Sequence, residues 1–366
     1  MLIDVPKMIC SELKISRSGA NVNAAVLFAT HLNTPSSSVL MVWSRNQQQL
    51  FIVIGKCNGD LPILIDFLQL LFFTTRKQYT QLENIFKSSL TTICFGKLRQ
   101  SSDEIVAISA GGQIRSFDFP QTDAQSGDLQ KPLPLFEQLI QANICTSYIG
   151  DIDGDGLSEL LVLMTDRCVR TYRYVANHLA SLNKYEVPSH VYGFALGITN
   201  SGLYYALLAE RSENYVVKID FSSNVCNILP QTLASNASNR ELMVPNQPVY
   251  LSLVGSLAAR LLVINPENDT EIALENPAGD FICATTVNLQ NMHVVMTLDI
   301  FGNLLIYGWN DHNTCHAYLI AKATVLPDAD RITAVAGRNE NEVLFCISTV
   351  YFKIAVYRID LSSVLS

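Results

Sequence analysis

The run YIGDIDGDGLSELLVLMTDRCVRTYRY, Tyr148 to Tyr174, carries aspartates at alternate positions, Asp151, Asp153 and Asp155, followed by Gly156 and Glu159. Alternate carboxylates converge on one cation when the chain wraps around it, and a glycine permits the sharp turn. The predicted ligands are the side chains of Asp151, Asp153, Asp155 and Glu159 and the carbonyl of Leu157. Oxygen donors without His or Cys favour calcium over a transition metal. Two readings stand side by side: one structural calcium ion, or a turn in which the aspartates accept nearby backbone N–H groups.

An EF-hand is excluded. Its loop needs a bidentate acid at the twelfth position, which here is Val162, inside the apolar run ELLVLM. That run reads as a strand, as do YIG before the loop and CVRTYRY after a tight turn.

The layout of strand, polar turn, strand, tight turn and strand recurs along the chain. The clearest second copy is TTICFGKLRQSSDEIVAISAGGQIRSFDF, Thr91 to Phe119, where Gly111 and Gly112 are expected to supply the positive φ angles of a two-residue hairpin. Further copies begin at Ala24, Tyr192, Val249, Phe281 and Ile332; in the Phe281 copy, Gly302 and Asn303 mark the hairpin. These seven units predict an all-β fold, a seven-bladed β-propeller, with blades near residues 24–54, 91–119, 144–174, 192–221, 249–274, 281–309 and 332–361 of a single domain over residues 1–366. Blades bury both faces against their neighbours, which accounts for strands of nearly continuous Leu, Ile and Val. Cys10 to Ser16 is expected to close the ring as the outer strand of the last blade. Pro120 to Leu139 and Ser222 to Asn246 read as surface loops, and Leu61 to Leu90 as an outer strand plus a helical insert.

With 49% hydrophobic and 16% charged residues, the 366-residue chain has ample apolar surface for a large core. A net charge of −8 with scattered Lys and Arg offers phosphates no basic stripe, so no nucleic-acid partner is expected. Nine widely spaced cysteines without a C-x-x-C pair fit a reducing compartment. The first residues, MLIDVPKMICSELKIS, lack the basic start and apolar core of a secretory signal. The most hydrophobic window, Leu61 to Thr75, is shorter than a bilayer span and carries Asp66 and Gln69, so no transmembrane segment is expected.

No G-x-S-x-G, Walker A, Rossmann glycine pattern or H-E-x-x-H occurs, so the chain reads as non-enzymatic, with no catalytic residues. Asp311, His312, Cys315 and His316 have donor atoms but no second ligand set, and read as a hairpin loop. Trp43 and Trp309 read as core residues. The sequons at Asn236 and Asn268 carry little weight without a secretion signal.

A strand, D-x-D-x-D-G-x-x-[DE] and a second apolar strand resemble the FG-GAP repeat of integrin α-chain propellers, in which such loops join the first two strands of a blade and hold calcium structurally. The resemblance places Asp151, Asp153, Asp155 and Glu159 at side-chain ligand positions and Leu157 at the carbonyl position; Glu159 stands where that family usually has Asp. The equivalent turns elsewhere, such as HLNTPSSS and GRNENEV, carry too few acids, so at most one calcium ion is expected.

SAGGQIRSFDF, IGDIDGDGLSELLVLMTDRCVRTYRY and VYFKIAVYRIDL together are similar to the intracellular FG-GAP repeat-containing proteins of the integrin-α type that belong to the KICSTOR complex. That resemblance implies a non-enzymatic propeller scaffold, cytoplasmic and held at the lysosomal surface through its complex. Its implied partners are other KICSTOR-type subunits and a Rag-directed GTPase-activating complex, through which it would restrain target-of-rapamycin signalling in nutrient scarcity. The alternative expectation is an extracellular FG-GAP module, adhesive or carbohydrate-binding, stabilised by calcium. A lyase or hydrolase in a central channel would repeat His, Asp or Glu at a common position, and the six histidines share none.

Overall fold

Glu104–Ser109, EIVAIS, is buried at every residue, and its two faces serve different cores. Ile105 and Ala107 pack with Val42, Phe51, Val53 and Phe117. Val106 and Ile108 pack with Leu160, Val162 and Tyr172. Side chains alternate across a strand, so one apolar run fills two interfaces. Each fully buried Ile or Leu contributes about 1.5–3 kcal/mol, which is why such a run has no polar face to spare.

The computed structural model describes residues 13–16, 21–31, 36–44, 49–56, 61–65, 79–82, 86–121, 130, 132–188, 191–198, 204–210, 215–230, 249–252, 261–265, 270–274, 281–290, 292–309, 318–326, 328–351 and 353–362. These contain 28 strands. By contacts the chain divides into two units, one of residues 32–188 and one of residues 1–31 with 189–366. The first strands, β1 (Leu13–Ser16) and β2 (Asn21–His31), belong to the latter.

The 32–188 unit holds three four-stranded antiparallel sheets. The first contains β3 (Ser36–Ser44), β4 (Gln49–Lys56), β5 (Leu61–Ile65) and β6 (Tyr79–Leu82). The second contains β7 (Leu90–Gly96), β8 (Glu104–Ser109), β9 (Gln113–Phe117) and β10 (Pro134–Leu139). The third contains β11 (Ile144–Gly150), β12 (Glu159–Met164), β13 (Cys168–Val175) and β14 (His178–Glu186). In each the strands pair in chain order, and Phe51 meets Phe119 at 4.8 Å between ring centroids.

In the other unit, β15 (Val191–Ile198), β16 (Tyr204–Glu210), β17 (Tyr215–Asp220) and β18 (Val225–Pro230) form a fourth such sheet. A three-stranded sheet follows, of β19 (Val249–Ser252), β20 (Leu261–Asn265) and β21 (Thr270–Leu274). The remaining strands are β22 (Phe281–Asn288), β23 (His293–Asp299), β24 (Asn303–Trp309), β25 (Tyr318–Thr324), β26 (Ala329–Ala336), β27 (Glu342–Thr349) and β28 (Lys353–Asp360). They join β1 and β2 in a nine-stranded sheet ordered β22-β23-β24-β25-β1-β2-β28-β27-β26. Val294, Met296, Leu304, Val343, Phe345 and Tyr357 share its core, where the Phe345 and Tyr357 rings stack at 4.9 Å.

Five separate blade-sized sheets are therefore present among the described residues, rather than seven. The strands of the last two expected units lie in one sheet because β1 pairs with β2 on one side and, through Ser16 and Lys322, with β25 on the other. The strand added to β28 is β2, in the register Ala24 to Ile359, although β2 was expected to begin the first unit. Leu13–Ser16 lies between β25 and β2, while residues 10–12 fall outside the described residues.

Both expected surface loops contain a strand, β10 and β18. β10 was hidden by its composition: of PLFEQL only Phe136 is buried, so no apolar alternation marks it. Residues 122–129, 131 and 231–246 of these loops lie outside the described residues, as do 66–78 of the expected helical insert, whose flanks are β5 and β6. The hairpin prediction also needs correction. Of the two glycines only Gly112 has a positive φ, 83°, and its N–H donates to the Ser109 carbonyl at 3.0 Å. Gly302, at φ 74°, donates likewise to Asp299. A positive φ at the fourth residue of the turn is the three-residue hairpin arrangement with its bulge, not the two-residue one. Among the described residues no helix is long and apolar enough to cross a membrane.

Candidate functional site

The Asp151 loop joins β11 to β12, between the paired residues Gly150 and Glu159. Asp151 organises its backbone. Its Oδ1 accepts the N–H groups of Gly154 at 2.8 Å and Asp155 at 3.1 Å, and its Oδ2 accepts that of Gly156 at 2.8 Å. Asp155 Oδ1 accepts the Leu157 N–H at 2.9 Å. Gly154 and Gly156 have φ of 80° and 88°, the left-handed conformation that glycine adopts without penalty.

Glu159 is the buried member of the set, fully inaccessible to solvent. Its Oε2 accepts the Ile152 N–H at 3.0 Å, so the carboxylate pins the loop backbone from beneath. Across the β12–β13 ladder Glu159 faces Arg173. Arg173 Nε donates to Glu159 Oε1 at 2.7 Å, and its Nη2 also pairs with Glu159. The same guanidinium reaches Asp153 Oδ2 through Nη2 at 3.0 Å and Asp155 Oδ2 through Nη1 at 2.8 Å. One planar cation thus serves three carboxylates, a geometry that the forked donors of arginine suit and a lysine point charge does not.

These contacts set the protonation of the acids. The Leu157 N–H and then Arg173 hold the Asp155 carboxyl below its ordinary range. Burial pushes Glu159 up, against the opposing pull of the Ile152 N–H and Arg173.

Of the predicted ligands, Asp151, Asp153 and Glu159 have carboxylate oxygens within 4.8 Å of one another. Asp155 is outside that trio, and the Leu157 side chain is exposed. Calcium requires six to eight oxygens at about 2.3–2.6 Å. Here Asp153, Asp155 and Glu159 are engaged by a guanidinium. A divalent ion on those oxygens would face a fixed positive charge at hydrogen-bond range. In this arrangement three of the four acids already pair with a cation that the chain itself supplies.

Arg173 was missed in the sequence, although the signal was present. A hairpin centred on Asp166 brings Arg173 opposite Glu159 by simple counting. Also missed was a repeated glutamate. Glu104, Glu159 and Glu342 each open the second strand of their unit, and all three are buried. Glu104 Oε1 accepts the Arg99 N–H at 2.9 Å while Oε2 accepts Arg99 Nε at 3.1 Å. Glu342 Oε2 accepts Asn339 Nδ2 at 3.1 Å. A carboxylate stapling the preceding turn is therefore common to loops with and without the aspartates. Asp311, His312, Cys315, His316, Asn236 and Asn268 lie outside the described residues, as do the side chains of Trp43 and Trp309.

The family model of integrin-alpha FG-GAP repeat-containing protein 2 matches residues 80–270, more than half of the chain. The Mus musculus protein named KICSTOR complex protein ITFG2 is 34% identical over 128 residues, which are 28% of this chain and 28% of that protein. The match thus spans little more than a quarter of the mouse protein's length. Among solved structures, BBS1N in complex with ARL6DN has a TM-score of 0.60 at 12% identity, covering 97% of this chain and 100% of that one. The Cps50 (Swd1) beta-propeller domain of Myceliophteria thermophila has a TM-score of 0.53 at 10% identity, covering 90% of this chain and 99% of that one. These likenesses establish an all-β, β-propeller fold.

Proposed function

We propose, from the fact that this chain belongs to the integrin-alpha FG-GAP repeat-containing protein 2 family, that it is a non-enzymatic propeller scaffold in a KICSTOR-type complex. In this reading it binds other subunits of that complex and, with them, recruits a Rag-directed GTPase-activating complex to the lysosomal surface, restraining target-of-rapamycin signalling when nutrients are scarce. The proposal includes a single domain over residues 1–366.

The observation that carries it is the family match over residues 80–270, supported by a relative whose name places it in the KICSTOR complex. Two features of the chain agree with it. The buried thiols of Cys94 and Cys346 are pushed up to about 12 by burial and pack as small apolar groups. The best-built polar cluster, around Arg173, has its carboxylates engaged in holding a turn.

Affinity purification of the tagged chain from nutrient-starved cells, followed by mass spectrometry, tests the proposal. Recovery of the other KICSTOR subunits is expected. Their absence from the purified material, with the bait abundant and folded, overturns the assignment.

A further inference from the structure

We infer that Arg173 is the resident counter-cation of the Asp151 to Glu159 loop, so that this turn is held by the chain's own guanidinium and needs no calcium. The inference stands whether or not the scaffold proposal holds.

Three observations carry it. First, the guanidinium lies within hydrogen-bond range of three carboxylates from different points of the loop, Asp153, Asp155 and Glu159. Its position is fixed by strand pairing, because Arg173 is the ladder partner of Glu159. The cation is therefore delivered when the hairpin forms, with no separate binding event. Second, Asp151, the acid that Arg173 does not contact, already accepts three backbone N–H groups. Those bonds are what a turn requires with or without a metal. Third, Glu159 has counterparts in Glu104 and Glu342, which staple loops that lack the aspartate series. Its buried position is explained by that shared duty.

Electrostatics points the same way. Four carboxylates in one nine-residue turn repel one another and need a compensating charge. Arg173, with only 16% of its side chain exposed, provides it in a partly desolvated setting where charge-assisted hydrogen bonds are strong. A calcium ion sharing these oxygens would be repelled by the guanidinium. Expelling Arg173 would strip the buried Glu159 of its ion pair.

The test compares thermal unfolding of the full chain in chelator and in millimolar calcium. Wild type is expected to melt at the same temperature in both. Arg173→Gln is expected to melt roughly 4 °C or more lower in chelator and to recover part of that loss in calcium, because the four acids then lack a counter-ion. Arg173→Lys keeps a charge without the fork, and should show a smaller loss with no calcium response. Calorimetric titration of the wild-type protein with calcium covers the case in which Arg173→Gln does not fold, and no saturable heat is expected. A wild-type protein stabilised by calcium overturns the inference, as does saturable heat that Asp151→Asn removes. So does an Arg173→Gln protein as stable in chelator as wild type, or one whose loss calcium leaves unchanged.

Discussion

Gln100 and Ser158 exchange two hydrogen bonds: Gln100 Nε2 donates to the Ser158 carbonyl at 2.9 Å, and the Ser158 N–H donates to Gln100 Oε1 at 3.0 Å. The β7–β8 turn and the Asp151 loop, which belong to neighbouring sheets, are locked together by this one amide. Gln100 already has a φ of 66°, so replacement by another L residue adds no new backbone strain. Gln100→Ala should cost about 1–2 kcal/mol, the worth of two partly buried hydrogen bonds. It should also speed amide exchange across residues 152–158. Unchanged exchange there would show that the two loops open independently.

Two ion pairs of the β7–β10 sheet separate buried from exposed charge. Glu104 is fully buried against Arg99, whereas Glu137 pairs with Arg115 while 45% of its side chain remains exposed. Glu104→Gln should destabilise the protein by about 2 kcal/mol, since a buried charged partner is lost. Glu137→Gln should cost less than about 1 kcal/mol, as surface pairs do. Chemical denaturation of both variants checks the order, and equal losses would contradict it.

Acid titration bears on the same Glu137. Its hydrogen bond to Arg115, then that from Gln113, hold its carboxyl below the usual range. The unfolded chain thus takes up this proton at higher pH than the folded one. The stabilisation is complete above the ordinary carboxylate range and is lost as pH falls through the lowered folded value. Glu137→Gln should flatten the acid limb of the stability curve without changing it at neutral pH by more than the small pair energy. A steeper acid limb would refute the assignment.

Gly112 and Gly156 are both left-handed, but their surroundings differ. A Cβ on Gly112 would sit 2.4 Å from the Ile140 carbonyl oxygen and 2.6 Å from that of Gln141, whereas nothing lies within 4 Å of one on Gly156. Gly112→Ala should therefore cost about 3 kcal/mol or more, combining strain with a backbone clash. Gly156→Ala should cost only about 1–2 kcal/mol, the left-handed penalty alone. Melting temperatures of the two variants test this ranking.

Thiol chemistry reports the burial of the cores. Cys94 and Cys346 are enclosed, with pKa values pushed up to about 12 by burial; partial burial also pushes the Cys145 thiol up, but that side chain is exposed and open to reagent. The thiolate is the reactive form, so closed and protonated thiols are inert. Maleimide labelling with peptide mapping should modify native Cys145 and spare Cys94 and Cys346 until denaturant is added. Native labelling of Cys346 would show that the core opens locally.

Much of this architecture could be read from short apolar runs. EIVAIS, ELLVLM and EVLFCIST are strands as expected, because strands buried on both faces leave continuous hydrophobic sequence. The outer strand β10 was illegible for the opposite reason, having Phe136 as its one buried side chain. The aspartates were visible as a motif, whereas their partner was legible only by counting across the hairpin centred on Asp166. Arg173 becomes part of the site only through the β12–β13 register, a property of two segments and not of a motif. The pairing of β2 with β28 has no local signal at all, since a strand's edge carries no address for a partner at the other end of the chain.

That last pairing bears on how the protein is made. Ala24 of β2 waits for Ile359 of β28, more than 300 residues downstream. At roughly 5–20 residues per second, a ribosome needs about 15–70 s to deliver the partner. Throughout that interval the apolar strand NVNAAVLFATH lacks a partner on the edge that β28 later fills, a template for pairing with other nascent chains. Cellular yield should therefore depend on chaperone supply during synthesis more than on the stability of the finished fold.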